Sequence, residues 1–322
     1  MILVTGSAGY IGSHICHYLD RLKIRYYSID NLSRGSKKNI KKNFFKIDIG
    51  DSKKVFNIIV KKKIDTVIHA AAYSFPVESE KKKKIYTINN IHKTKRFIDV
   101  CKKAKIKKFI FLSSSNVYYE KKNNISFKES NVTKPKNHYG ITKLLIEKYL
   151  LKKISYKFDQ LIILRLFNVA GYIKGFNFKL KNNQNLRIFP IIALSLKNKK
   201  KIKLFSKKKK NINYFPERDY IHVWDVVKII WFFTKSKFKQ KFVLLNVGTG
   251  KSHSLMNLLN QIEKKVKKKV IYKIQEINNK ELFITKANIK KLKLNHNIAP
   301  KISFSKIVNS VIRWAKIEKK IS

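Results

Sequence analysis

Ile2-Leu3-Val4-Thr5-Gly6-Ser7-Ala8-Gly9-Tyr10-Ile11-Gly12 opens the chain, and the fold class follows from it. Three apolar residues read as a buried strand, three glycines at GxxGxxG spacing as a tight turn, and Ile11, Ile15, Leu19 and Leu22 as the stripe of a helix. Strand, turn and helix in this order make a dinucleotide site. Gly6 permits the turn, Gly9 lets backbone approach a pyrophosphate, Gly12 lets helix lie close to strand, and the helix N-terminus offers its amides to the anion. A second strand over 25–29 ends in Asp30, about 20 residues after the turn. A carboxylate there accepts from both adenosine ribose hydroxyls and repels a 2′-phosphate, which favours NAD over NADP.

Further apolar runs at 44–47, 66–69, 109–112 and 161–166 are separated by segments long enough for helices. This alternation predicts an α/β fold built on a doubly wound parallel (Rossmann) sheet, with a smaller mixed C-terminal substrate domain. The expected division is a cofactor domain over 1–170 with returning segments around 218–250, and a nucleotide-sugar domain over 171–322. Beyond residue 170 the pattern breaks into an Asn/Lys-rich stretch (174–185), a short helical segment and a lysine-heavy loop over 197–213. Residues 243–247 read as one more buried strand, closed by Gly248-Thr249-Gly250.

The 322 residues carry 74 Lys plus Arg against 19 Asp plus Glu, a net charge of +55. Such an excess suits a polyanion. The lysines, however, are scattered along the chain, and only eight of the basic residues are arginines, the better readers of phosphates and bases. The excess is therefore read as solvated lysine faces, with no specific nucleic-acid partner. Two cysteines exclude a disulfide scaffold and fit a reducing cytoplasm. The chain enters a strand-like run at once, which leaves no room for a signal peptide, and no uncharged stretch reaches the ~20 apolar residues of a membrane span.

Tyr139-Gly140-Ile141-Thr142-Lys143 places a Tyr and a Lys four residues apart on one helix face. A neighbouring ammonium favours the phenolate, so the Tyr can act as a base near neutral pH, and the Lys can bind the nicotinamide ribose. Ser113-Ser114-Ser115 ends a strand-like run, where ligands bind in such sheets. On these residues the chain resembles the extended short-chain dehydrogenase/reductases, and among them the NAD-dependent UDP-glucose 4-epimerases. The resemblance runs nearly the whole length and is densest at 1–12, 30–35, 65–72, 113–118, 139–143, 164–171, 218–223 and 246–250.

By position, the resemblance implies that Gly6, Gly9, Tyr10, Ile11 and Gly12 line the NAD site. Asp30, Asn31, Leu32, Ser33, Arg34 and Gly35 would continue it, followed by Asp48, Ile49, Ala70, Ala71, Ala72, Tyr73 and Ser74. Asn89, Lys143 and Phe167 would complete it. Tyr139 would be the base, with Ser114 as its partner and Lys143 beside it. Ser114, Tyr139, Asn168, Arg187, Phe205 and Arg218 would hold a UDP-hexose. Hydride would leave sugar C4 for NAD, and the 4-keto sugar would turn over and take it back on the other face. A homodimer paired through helices near 92–103 and 139–153 is also implied.

Several positions depart from the epimerase pattern, among them Tyr119 where a Gly is usual and Leu166 where a Tyr is. Ser74 stands where a Lys is usual, Asn278-Asn279-Lys280-Glu281 where an Arg-x-Gly-Asp element grips the diphosphate, and Arg187-Ile188 where Asn-Leu precedes the substrate-side proline, here Pro190. Arg187 is the candidate to replace the missing arginine. The related 4,6-dehydratases need an acidic pair where this chain has Ser115 and Asn116, so dehydration is disfavoured. Another nucleotide-sugar enzyme of the superfamily, or a non-catalytic polyanion-binding relative, stays open. His69, His222, Cys16 and Cys101 are expected to be structural, Glu129 and Glu147 to be surface carboxylates, and no metal site is expected.

Overall fold

The structure, a computed structural model, describes residues 1–119, 126–154, 157–181, 187–209, 212–276 and 282–318. Its centre is a seven-stranded sheet. β1 (Ile2–Thr5), β2 (Tyr26–Asp30), β3 (Phe44–Lys46), β4 (Thr66–His69), β5 (Lys108–Ser114) and β6 (Gln160–Leu166) are joined by the strand Phe242–Val247. Their order across the sheet is Phe242–Val247, β6, β5, β4, β1, β2, β3, and every pairing is parallel. β1 is therefore flanked by β2 and β4, and the chain reverses its direction of travel across the sheet there. The crevice over the carboxyl ends of β1 and β4 is where such sheets bind ligands.

All residues of β1, β2, β4, β5 and β6 are buried, because helices cover both sheet faces. That is why these strands read as continuous apolar runs. Alternate residues feed two cores: Leu3, Ile29, Val67, Phe109 and Ile163 on one face, and Val4, Ile68, Ile110 and Ile162 on the other. The second core continues without a break into the C-terminal third, through Phe189, Tyr220, Leu258 and Val308. Each such side chain contributes about 1.5–3 kcal/mol on burial.

The helix α1 (Tyr10–Arg21) crosses from β1 to β2, and Ser52–Lys61 from β3 to β4. Between β4 and β5 a helical run widens to π-helix over Ile88–Lys93 before continuing as Thr94–Lys103. His138–Tyr149 crosses to β6, and Val223–Lys235 precedes the last strand. At the start of β5, the buried ammonium of Lys108 caps that last helix, donating to Phe233 O (3.1 Å), Thr234 O (2.9 Å) and Ser236 O (2.5 Å).

Two expectations need correction. The stretch 197–213 is not a loop: the helix Ile188–Asn198 is followed by the strand Ile202–Lys209, which pairs in parallel with Tyr272–Glu276 and antiparallel with Ile212–Tyr214. Ile202, Leu204 and Ser206 turn inward while Lys203, Phe205 and Lys207 face out, so the lysines hide a period of two. Glu147 is not a surface residue; it is 1% exposed and paired with Arg165. Smaller pairings, Glu217–Arg218 with His253–Ser254 and Ile284–Thr285, and Tyr220–His222 with Asn168–Ala170, complete the mixed C-terminal part. Among the described residues no helix is long and apolar enough to cross a membrane. Cys16 and Cys101 are buried and unpaired.

Candidate active site

The crevice floor is backbone. Gly6 turns at φ +67°, and a Cβ there would lie 2.7 Å from Ala71 Cα in the segment leaving β4. A Cβ on Gly12 would come within 2.1 Å of Gly6 O, so the first turn of α1 can rest on the loop only with glycine. Gly9 is the N-cap of α1 and brings no side chain to it, which leaves the helix start open to an anion. Tyr10 donates its hydroxyl to Gly171 O on the opposite wall, and Ile11 packs half-buried against the core.

At the end of β2, Asp30 accepts from Ala8 N (3.0 Å) and Leu32 N (2.7 Å). Burial pushes its pKa up, and these two N–H groups pull it back. The second bond holds Leu32 in the left-handed region at φ +59°. Asn31 accepts from Ser33 N (3.0 Å) and donates to Asp48 (2.8 Å), which also takes the Lys93 ammonium (2.6 Å) and Gly50 N (2.8 Å). Burial opposes the Asp48 charge, but these donors hold its pKa below the usual range. Gly35 lies against Ala8, and Ile49 is buried in the core, so its side chain faces away from the crevice.

Arg34 does not point into the crevice. It makes a two-pronged ion pair with Glu78 (2.6 and 3.0 Å) and lies 4.0 Å over the Tyr73 ring, tying the loop after β2 to the segment after β4. That segment, Ala70 to Ser74, is further fixed by Ala71 N on Thr5 Oγ1 (3.2 Å) and by Asn90, which accepts from Tyr73 N and donates to Tyr73 O, both at 2.9 Å. Asn89 donates to Asn90 (3.1 Å), and Asn90 also reaches Thr142 on the Tyr139 helix (3.1 Å). Both asparagines sit in the π-helical turn. Sequence reading passed over Asn90 and Glu78, although the doubled Asn89-Asn90 was a visible signal. His69 is a structural residue, hydrogen-bonded to Thr5 Oγ1 (2.9 Å).

Ser114 ends β5, and its Oγ accepts from Asn116 N and Asn116 Nδ2, both at 3.2 Å. Across from it, Asn137 caps the helix His138–Tyr149 through Gly140 N (2.8 Å). In the first turn of that helix, Tyr139 is buried and its hydroxyl is hydrogen-bonded to Ser114. Lys143 donates to Leu112 O (2.8 Å) and sits 6.0 Å from the centre of the Tyr139 ring. Burial pushes the Tyr139 hydroxyl pKa up; the Arg187 guanidinium and the Ser114 bond pull it down. Burial likewise pushes Lys143 down to about 7, opposed by the negative charge of Glu147. In this arrangement the cation acting on the phenol is Arg187, while the Lys143 ammonium is turned to the backbone.

An open cleft is walled by Tyr10, Phe75, Gly171, Tyr172, Phe189 and Arg187 among others. Arg187 precedes the helix Ile188–Asn198 and donates to Ser74 Oγ (3.2 Å), so the two positions that depart from the epimerase pattern meet. Phe167 is buried beneath the crevice and donates its N–H to Val247 O (2.9 Å). Asn168 follows it, with its N–H on Asp219 O (3.0 Å). Arg218 donates to Glu217 O (3.0 Å) and Phe283 O (2.9 Å), and Phe205 is 45% exposed on the small sheet; neither lines this cleft. Lys280 and its neighbours 278–281 lie outside the described residues. Among the described residues no cluster of His, Cys, Asp and Glu could hold a metal ion.

The model of the NAD dependent epimerase/dehydratase family matches residues 2–248, which hold both the glycine turn and the Ser114, Tyr139 and Lys143 set. The chain belongs to this family. The UDP-glucose 4-epimerase of Halalkalibacterium halodurans is 31% identical over 261 residues, covering 80% of this chain and 78% of that protein. The dTDP-D-glucose 4,6-dehydratase of Dictyostelium discoideum is 32% identical over 248 residues, 70% of this chain but 55% of the relative. Among solved structures, a UDP-glucose-4-epimerase from Stenotrophomonas maltophila, with bound NAD and formylated UDP-arabinopyranose, superposes with a TM-score of 0.92. It is 23% identical, and the match covers 100% of this chain and 99% of that one. The family reading accounts for a cradle that glycines alone leave open.

Proposed function

We propose that this epimerase/dehydratase family member is a nucleotide-sugar 4-epimerase that interconverts UDP-glucose and UDP-galactose through a 4-keto sugar, with NAD kept through turnover. The observation that carries the reading is the meeting of Ser114, Tyr139 and Lys143 at the end of β5, beside a crevice shaped for a dinucleotide. The residues fit NAD: the Gly6–Gly12 cradle would be filled by any Cβ, the start of α1 is uncapped, and Asp30 is placed for a ribose diol. When bound, NAD supplies the acceptor for the C4 hydride and returns it.

The rest is done by the chain itself. Tyr139 Oη takes the proton of the sugar 4-hydroxyl and gives it back, and Ser114 Oγ holds that oxygen in line. Lys143 keeps N–H bonds available for the cofactor ribose while one is spent on Leu112 O. Arg187 on the cleft wall, with Asn168, would hold the nucleotide and diphosphate and leave the sugar free to rotate. Dehydration would need an acid and a base beside Ser114. There, Ser115 is buried and Asn116 is committed to Ser114 and Asn137, so the chain keeps only the step that epimerisation needs.

The test is an NMR assay of UDP-glucose and UDP-galactose interconversion, using purified protein and no added nucleotide. Wild-type turnover that falls by about 10³-fold in Tyr139→Phe, with NAD still bound, supports the reading. Bound NAD without interconversion overturns the sugar assignment. Absence of bound NAD overturns the reading altogether. We further propose a homodimer. Ile85, Ile88, Ile141 and Leu145 are exposed on adjoining helices, a paired apolar face that a second copy would cover, and light scattering at the mass of two chains would bear this out.

A further inference from the structure

Glu147 lies two turns beyond Tyr139 and one beyond Lys143 on the same helix, and is 1% exposed. Arg165 of β6 grips its carboxylate from the side, Nη2 to Oε2 at 2.7 Å and Nε to Oε1 at 3.1 Å. Ser113, the residue before Ser114, donates its hydroxyl to Oε1 at 2.5 Å. The remaining edge of Arg165 is satisfied by Tyr118 Oη (3.0 Å) and Glu129 O (3.1 Å).

We propose that Glu147 is a positioning residue for the reaction: it ties the strand end bearing Ser114 to the helix bearing Tyr139 and Lys143, and it supplies the negative charge that faces the Lys143 ammonium. The proposal rests on the Tyr139 and Lys143 roles given above. Stability alone does not explain the group. A buried ion pair gives up so much hydration that apolar residues of the same volume usually serve a fold as well or better. What apolar residues cannot do is place a fixed carboxylate one helical turn from a buried amine.

The titratable groups that face Lys143 are few. Its own helix contributes Tyr139 and Glu147, and β4 contributes His69, which burial and the Lys143 charge hold near pH 3 and therefore neutral. β5 offers only neutral groups, the Leu112 carbonyl and the Phe111 ring 4.8 Å away. Among the described residues, Glu147 is thus the negative charge set against the burial of Lys143, whose pKa is about 7. Arg165 and the Ser113 hydroxyl, by bonding both carboxylate oxygens, fix where the side chain sits.

The experiment compares the holoenzymes of wild type, S113A, E147Q and E147Q/R165M. The double variant removes both charges, so that no buried guanidinium is left alone and folding is preserved even where E147Q by itself fails. In the double variant, the alkaline limb of the pH dependence of kcat should move to lower pH by about one unit while the acid limb stays in place. The alkaline limb moves because Lys143 loses its proton sooner without Glu147, and the acid limb stays because Arg187, the cation acting on the Tyr139 phenol, is untouched. KM should stay within about threefold. S113A, which keeps the charge but frees Ser114, should lower kcat by about threefold to tenfold with the profile unmoved. A second readout needs no substrate: the Lys143 side-chain NMR resonance, assigned by difference from K143M, should titrate at lower pH in the double variant. A uniformly lower kcat with wild-type limbs, or an unmoved Lys143 titration, would overturn the proposal and leave Glu147 a structural ion pair. Failure of the sugar assignment would leave the Lys143 readout intact.

Discussion

On the cofactor side of the crevice, the groups that would meet a ligand are mostly main chain: the Gly6–Gly12 loop, the open start of α1 and the strand ends of β2 and β4. On the sugar side the cleft is walled largely by side chains, Tyr10, Phe75, Phe189 and Arg187 among them, delivered by segments far apart in the chain. The first wall is held by sterics that tolerate no added atom; the second depends on where long, mobile side chains are aimed. A backbone-built site should break abruptly on a single methyl, whereas a side-chain-built site should weaken by degrees.

The largest effect should come from Gly12→Ala, whose new methyl meets Gly6 O at 2.1 Å. NAD affinity should fall on the order of 100-fold, measured by calorimetry on the stripped protein, and near-normal affinity would break the comparison. On the other wall, Arg187→Ala should raise the KM for the UDP-sugar by about 10- to 100-fold while NAD content stays at the wild-type level. Arg34→Ala tests the seam between the loops after β2 and β4. Because the Arg34–Glu78 pair is partly open to solvent, it should speed NAD loss by only about threefold to fivefold, and the swapped pair R34E/E78R should restore retention.

The smallest effect is a slope. Burial holds His14 and His69 at about 3 and His222 at about 4, so all three are neutral in the folded chain at working pH. The unfolded chain takes up protons below about 6.5 where the folded chain does not, so stability is full above that pH and declines as pH falls toward 4. Melting temperature should drop steadily over that window. His14→Phe should flatten the slope, because the His14 ring is wedged edge-on against Phe176, across the seam between the two walls.

The same contrast explains what could be read from sequence. Glycine spacing, an acid at a strand end and YxxxK are local patterns, so β1 to β6, the crevice and the Ser114, Tyr139 and Lys143 set were legible before any coordinates. The strand Ile202–Lys209 was not, because at a surface rich in lysine the exposed half of a two-residue alternation looks like a charged loop. Glu147 was misread for a related reason. Its burial depends on Arg165, a partner 18 residues on in another strand, and nothing in the local pattern announces the pair. The Ser74–Arg187 contact, spanning 113 residues, belongs to the same class.

The strand Phe242–Val247 pairs with β6 along its whole length, from Phe242 on Leu161 to Val247 on Leu166. Residues 167–241, most of the sugar wall, are made between the two. At about 5–20 residues per second on a ribosome, β6 waits on the order of ten seconds before its neighbour emerges. Through that interval Ile162, Ile163 and Leu164 form an open sheet edge with unpaired N–H and C=O groups, the template on which nascent chains pair with one another. The insertion that gives the crevice its second wall therefore also sets how long each new chain must be shielded from its copies.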